Sequence, residues 1–219
     1  MIFLKIMLVF MPFRIKKIIL NKVFGYKIGN DTYIGISWVF PDSLLMEDGA
    51  YVGHLNVVKN IDFFKMERNS RLGHQNTITC ASKKNKKYYV GVDRVCEMLM
   101  GKHSTITRKH YFDCTDSISI GEFTTIAGFD SQFLTHSIDI YENKQSCKSI
   151  HIGSYGMIGT RCTVLPGSVL PDYSVLGAGA LLNCRYSDSY SLYAGVPAKM
   201  VKKYSGSVEY FRRENGVVY

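Results

Sequence analysis

The sequence predicts an all-β fold, a parallel β-helix of hexapeptide repeats, and three observations carry that prediction. Aliphatic residues recur every six positions at Ile152, Ile158, Val164, Leu170, Leu176 and Leu182. Small residues stand four positions after the first five of them, at Gly156, Cys162, Ser168, Ser174 and Ala180. Glycine directly follows the aliphatic residue at 153, 159 and 177. A short strand sends alternate side chains to one face, so the small residue and the aliphatic two positions later both point inward. With a turn after each hexapeptide, three hexapeptides close one triangular coil of about eighteen residues. The aliphatics stack from coil to coil, and glycine, Asn and Asp suit the turns.

Composition fits a globular chain and narrows its class. Of 219 residues, 46% are hydrophobic and 21% charged, which excludes a disordered chain. No apolar run reaches the roughly 18–20 residues needed to span a bilayer. The six cysteines form no CxxC pair, which argues against a zinc ribbon or a secreted disulfide scaffold and for reduced, structural thiols. A net charge of +9 asks for an anionic partner. No nucleic-acid module is recognisable, and aromatics do not interleave with the basic runs, so nucleic acid is not expected.

Taken in chain order, residues 1–27 read as a short amphipathic N-terminal helix that caps the open end of the fold. Residues 1–20 are also a candidate for peripheral contact with an anionic membrane. Weaker copies of the repeat follow at Ile28-Gly29, Ile34-Gly35 and Val52-Gly53, then, shifted by two, at Leu72-Gly73 and Ile78, and again at Ile120-Gly121 and Ile126. The β-helix is therefore expected over 28–185, as about eight or nine coils, with a closing segment and tail over 186–219. Two loops interrupt it, the lysine run 83–87 and the stretch 135–148. Val92–Met100 carries apolar residues in no clear hexapeptide phase.

Several motifs then resemble a known family. Tyr193-Ala-Gly-Val-Pro-Ala-Lys199 resembles the closing motif of the hexapeptide acyltransferases. Phe133-Leu-Thr-His136-Ser137, Ile150-His-Ile-Gly153 and Val164-Leu-Pro-Gly167 resemble the same enzymes, of the sugar and polysaccharide O-acetyltransferase type. The resemblance covers about residues 100–204. It implies a left-handed β-helix, an exception to the right-handed crossover rule. It also implies a homotrimer, with acetyl-CoA in a cleft between subunits and a sugar or glycan acceptor beside a catalytic histidine; the reduced thiols point to a cytoplasmic location, peripheral on the inner face of the membrane if residues 1–20 touch lipid. No metal is expected.

His136 matches the family's histidine position, and histidine suits removal of a hydroxyl proton near neutral pH. Its orienting partner is open between Asp139, Asp130, Glu122 and a backbone carbonyl. Gly128 or Gly159 could supply an oxyanion donor. The polar segment 101–116 offers Arg108, His110 and Asp113, with Tyr111, for a sugar, and His110 is the second candidate base. The pantetheine arm of CoA is expected along Gly159, Thr160, Gly177 and Ala178, with Lys199 and Lys202 for its phosphates. Cys162 falls at a small inward position and reads as core.

Three alternatives stand beside O-acetyl transfer: N-acetyl transfer to an amino sugar, a γ-carbonic-anhydrase-like metalloenzyme, and a non-catalytic scaffold. The metalloenzyme would need three histidines around one open site. The six histidines do not show that spacing.

Overall fold

A computed structural model describes residues 1–81, 89, 91–216 and 218; the lysine run 83–87 lies outside the described residues. The chain winds as a left-handed parallel β-helix. Among the described residues, three walls of parallel strands form a triangular prism of seven coils. The first wall stacks Lys27–Ile28, Ser43–Met46, Phe63–Met66, Glu97–Met100, Ile118–Ile120, Ile150–Ile152 and Val169–Leu170. The second stacks Tyr33–Ile34, Tyr51–Val52, Arg71–His74, Thr105–Arg108, Thr125–Ile126, Met157–Ile158 and Val175–Leu176. Ser191–Ala194 extends this wall in parallel, and Lys199–Lys203 folds back antiparallel on it. The third stacks Trp38–Phe40, Val57–Lys59, Thr77–Thr79, Tyr111–Asp113, Gln132–Leu134, Thr163–Val164 and Leu181–Leu182.

The six-residue pattern becomes the core directly. Ile152, Ile158, Val164, Leu170, Leu176 and Leu182 are all fully buried, as are Cys162, Ser168 and Ser174 between them. Each coil lays its aliphatics on those of the next: Ile158 pairs with Leu176 and Val164 with Leu182, eighteen residues on. Upstream, coils are longer. Leu44 pairs with Phe64 and Met98 with Ile118, twenty residues on, because the first-wall strand there buries two side chains in place of one. Longer coils and the interruptions leave seven complete coils where eight or nine were expected. The unphased segment 92–100 contains Glu97–Met100, a first-wall strand between Phe63–Met66 and Ile118–Ile120.

The glycines after the aliphatics have a different role from the one expected of them. They are not the left-handed turn residues. A Cβ on Gly159 would lie 2.6 Å from Ala178 N, so glycine there permits one coil to stack on the next. The left-handed corners are held mostly by other residues. His103, Phe123, Tyr155, Tyr173 and Tyr190 all have φ between 53 and 57° and stack as one aromatic ladder, with neighbouring ring centroids 4.8–5.1 Å apart. Stacking offsets the backbone strain that side chains incur there.

A polar ladder fills a second corner inside the prism. Ser37 Oγ accepts from Asn56 N (2.9 Å), Asn56 Oδ1 from Asn76 N (2.9 Å), and Asn76 Oδ1 from His110 N (2.9 Å). His110 Nδ1 then accepts from Ser131 N (3.2 Å), and Ser131 Oγ from Cys162 N (3.1 Å). Each side chain satisfies a buried amide one coil further on.

The amino-terminal end is closed by two helices where one was expected. α1 (Ile2–Phe10) and α2 (Phe13–Phe24) are separated by Pro12, which lacks the N–H to continue α1. α1 lies on Trp38–Phe40 and α2 on Lys27–Ile28, with Leu8 and Leu20 buried against the core. No described helix is long and apolar enough to cross a membrane. No disulfide joins any of the six cysteines, all of which are among the described residues.

Candidate active site

Residues 135–148 leave the prism at the corner between the third and first walls. Within them, His136–Asp139 and Lys144–Cys147 pair antiparallel as a protruding hairpin, His136 opposite Cys147. Thr135 anchors its base: Lys148 N donates to Thr135 O (2.9 Å), and Thr135 Oγ1 donates to Asp113 O (2.7 Å). His136 is thereby set directly over the end of Tyr111–Asp113, the neighbouring strand of the third wall, where Asp113 pairs with Leu134.

His136 Nδ1 bonds Asp113 Oδ2. The imidazole is 45% exposed, while the Asp113 side chain is 5% exposed beneath it. The other carboxylate oxygen, Oδ1, accepts from Thr115 Oγ1 (2.7 Å) and Thr115 N (3.2 Å). The carboxylate is thus held on both oxygens, and an ionised Asp113 requires the proton on His136 Nδ1. That leaves Nε2 as the unprotonated nitrogen of the neutral ring. Behind the pair, Arg94 is buried, donating Nη1 to Ala81 O (2.7 Å) and Thr115 O (3.2 Å), and its guanidinium lies 4.5 Å from the Tyr89 ring centroid. Tyr89 OH reaches Gln145 Oε1 of the hairpin (3.5 Å). Burial pushes the Cys147 thiol up to about 11, so it stays protonated at neutral pH.

The three residues expected to hold a sugar separate. Asp113 is the partner of His136 and lies buried, so it is not a free sugar ligand. None of the orienters considered from sequence fills that role. Glu122 pairs with Lys102 (2.8 Å), Asp139 Oδ1 accepts from Tyr141 and Glu142 amides, and Asp130 stands exposed at a turn before the third wall. His110 is 1% exposed and belongs to the polar ladder. Its Nδ1 accepts from Ser131 N, so its Nε2 donates to Thr107 Oγ1 (3.0 Å). Burial lowers its pKa to about 4. Neither a sugar nor a reacting hydroxyl can reach it. Arg108 is exposed at the end of its second-wall strand, beside His74, at the corner that leads into the third wall and so at the opposite end of Tyr111–Asp113 from His136. With Tyr51, Arg71, His74 and Thr105 it lines a shallow cavity of about 260 Å³.

The residues expected to meet CoA gather at one corner, between the second and third walls. Gly159-Thr160 and Gly177-Ala178 are stacked on successive coils there, Gly159 N donating to Leu176 O (2.8 Å). Thr160 Oγ1 is engaged with Phe129 N and O, while Ala178 is exposed. Lys199 and Lys202 are exposed on the strand that closes the second wall. Gly128 and Gly159, considered as oxyanion donors, also belong to this corner, at the opposite end of the third-wall strands from His136.

Thr115, Arg94 and Tyr89 were missed in the sequence. Thr115 stands two residues after Asp113 and could have been found with it. Arg94 lies in the unphased segment, and no signal marks it. Among the described residues, no three His, Cys, Asp or Glu side chains group to hold a metal ion.

The fold is that of hexapeptide-repeat acetyltransferases. The polySia-specific acetyltransferase NeuO superposes with a TM-score of 0.58 at 21% identity, over 81% of this chain and 75% of that one. A hexapeptide-repeat-containing acetyltransferase from Vibrio cholerae gives 0.52 at 17%, over 92% and 87%. The same protein solved with acetyl coenzyme A gives 0.51 at 16%, over 92% and 84%. In sequence, two Staphylococcus aureus proteins (strains Mu50 and N315), provisionally named acetyltransferases, are 36% identical over 72 residues, which is 32% of this chain. The chain spans about a third of the length of these curated relatives, 36% of each. No family model matches the chain.

Proposed function

We propose that this chain is an acetyl-CoA-dependent O-acetyltransferase that acylates a hydroxyl of a sugar or glycan, with His136 as general base and Asp113 as its positioning residue. The His136–Asp113 pair at the base of the hairpin is the observation that carries the reading. His136 Nε2 takes the proton of the acceptor hydroxyl as its oxygen attacks the thioester carbonyl. The buried carboxylate of Asp113 stabilises the imidazolium so formed. On collapse of the tetrahedral intermediate, Nε2 returns the proton to the departing CoA sulfur. The names of NeuO and of the Staphylococcus aureus relatives agree with acetyl transfer, and the Vibrio cholerae complex agrees with acetyl-CoA as donor.

The active unit is a homotrimer in this reading. His136 stands at one corner of the triangle, and Gly159, Thr160, Gly177 and Ala178 stand at another, with the third wall between them. Two prisms side by side bring the histidine corner of one against the CoA corner of the next. There the exposed Lys199 and Lys202 meet the phosphates as charge-assisted donors.

The test is release of free CoA from acetyl-CoA with a panel of free, nucleotide-linked and lipid-linked sugars, for the wild type and His136→Ala. Acceptor-dependent release by the wild type alone is expected; equal release by His136→Ala refutes the assignment of the base. A mixing experiment tests the shared site. His136→Ala and Ala178→Asp are each expected to be inactive alone and to regain activity when co-assembled. No recovery in mixed trimers would place the whole site within one chain.

A further inference from the structure

We infer that the N-terminal helical cap docks on an anionic lipid surface. α1 reads Ile2-Phe-Leu-Lys-Ile-Met-Leu-Val-Phe10 and is apolar on nearly all sides, a pattern that ordinarily marks a helix covered all round. The β-helix covers only one side. Leu8 is buried and Leu4 and Val9 pack on the core, whereas Ile2, Phe3, Ile6, Met7 and Phe10 are 63%, 72%, 47%, 48% and 71% exposed. These five fall at helical spacing on one face. α2 adds Ile15 and Ile18, each more than half exposed. Such a face exceeds the scattered apolar residues of an ordinary surface.

Charge decides what covers it. The first thirty residues hold six cations, Lys5, Arg14, Lys16, Lys17, Lys22 and Lys27, and no Asp or Glu; the first carboxylate is Asp31. Three of the six serve the cap itself. Lys16 Nζ is buried and donates to Gly35 O (2.8 Å), Lys17 Nζ donates to Gly29 O, and Lys5 Nζ lies 5.1 Å from the Phe40 ring centroid. Arg14, Lys22 and Lys27 remain exposed. A second cap would bring the same cations against them with no carboxylate to pair, so cap-to-cap self-association is electrostatically disfavoured. An anionic bilayer offers both needed features, a hydrocarbon boundary for the apolar face and negative headgroups for the cations. With nine residues, α1 is too short to span a bilayer and lies in the interface plane.

The inference is independent of the acyl-transfer reading. It is tested by sedimenting the full chain with phosphatidylcholine vesicles, alone or with about a third phosphatidylglycerol. The wild type is expected to bind the anionic vesicles at least about tenfold more tightly, and to weaken as salt is raised. Phe3→Asp/Phe10→Asp and Arg14→Glu/Lys22→Glu are each expected to reduce that binding about tenfold or more with an unchanged thermal melt. Failure of the wild type to bind anionic vesicles overturns the inference, as does equal binding by both double variants. A fall in oligomer mass for Phe3→Asp/Phe10→Asp, without vesicle binding by the wild type, would assign the face to a protein partner.

Discussion

The coils before and after His136 differ in one side of the triangle. In the C-terminal coils the path from the third wall to the first takes six residues, from Val164 to Leu170, both fully buried. In the N-terminal coils the same path is longer, seven residues from Val39 to Met46 and eight from Val58 to Met66 and from Phe112 to Ile120. The extra residues give the first wall a second inward side chain, such as Phe64 beside Met66. They also lengthen the corner that holds Asp113, Thr115 and the base of the hairpin. The structural consequence is that the widened corner, and not the regular one, carries the candidate chemistry. A second contrast runs along another corner, where Asn56, Asn76, His110 and Ser131 hand hydrogen bonds from coil to coil. The ladder ends at Cys162 and Ala180, whose amide turns back to Gly177 O (3.2 Å) within its own turn.

The sharpest way to break this comparison is at the widened corner. His136→Ala should lower the turnover rate by about 10²–10⁴-fold with little change in melting temperature, since the ring is half exposed. Asp113→Asn should lower it on the order of 10²-fold, because an amide can present its N–H to Nδ1 and leave the ring in the wrong tautomer. Steady-state rates with acetyl-CoA, beside thermal melts, check both.

The polar ladder should respond through stability. His110 is held neutral in the fold, with a pKa of about 4, against about 6.5 in the unfolded chain. Between these values the unfolded state binds more protons, so stability falls as pH drops from about 6.5 to about 4, by up to about 3 kcal/mol. Asn, which occupies the two preceding rungs, should preserve the ladder in His110→Asn while removing that part of the acid sensitivity. Denaturant melts across the pH range measure it. Asn76→Ala removes the acceptor for the buried His110 amide and should cost about 1–3 kcal/mol. Ser174→Ala, in the regular half, loses one bond to Asp172 O and should cost about 1 kcal/mol or less. Equal costs for the two would erase the contrast between the halves.

This contrast also explains what could be read from the sequence. The six-residue period from Ile152 to Leu182 is legible because coil length and repeat coincide there. Upstream, an eight-residue side breaks the phase, so Leu72 and Ile78 looked shifted and Glu97–Met100 had no phase at all. The same arithmetic hid the partner of His136. Phe112 pairs with Phe133, twenty-one residues on, so Asp113 lies under the hairpin; an eighteen-residue offset points elsewhere. His110 looked like surface chemistry because a histidine at an inward corner position has no marker in one sequence. Its place becomes legible only through Asn56 and Asn76, which accept from the same amide position one and two coils earlier.

The central claim is that His136, held by Asp113 at the widened corner, is the base for acetyl transfer. The most direct measurement is acceptor-dependent CoA release by the wild type, His136→Ala, Asp113→Asn and His110→Asn, with acetyl-CoA binding followed by calorimetry. The account predicts collapse of turnover in the first two variants, near-wild-type turnover in His110→Asn, and acetyl-CoA binding in all four proteins. Turnover by His136→Ala within about twofold of the wild type would contradict it.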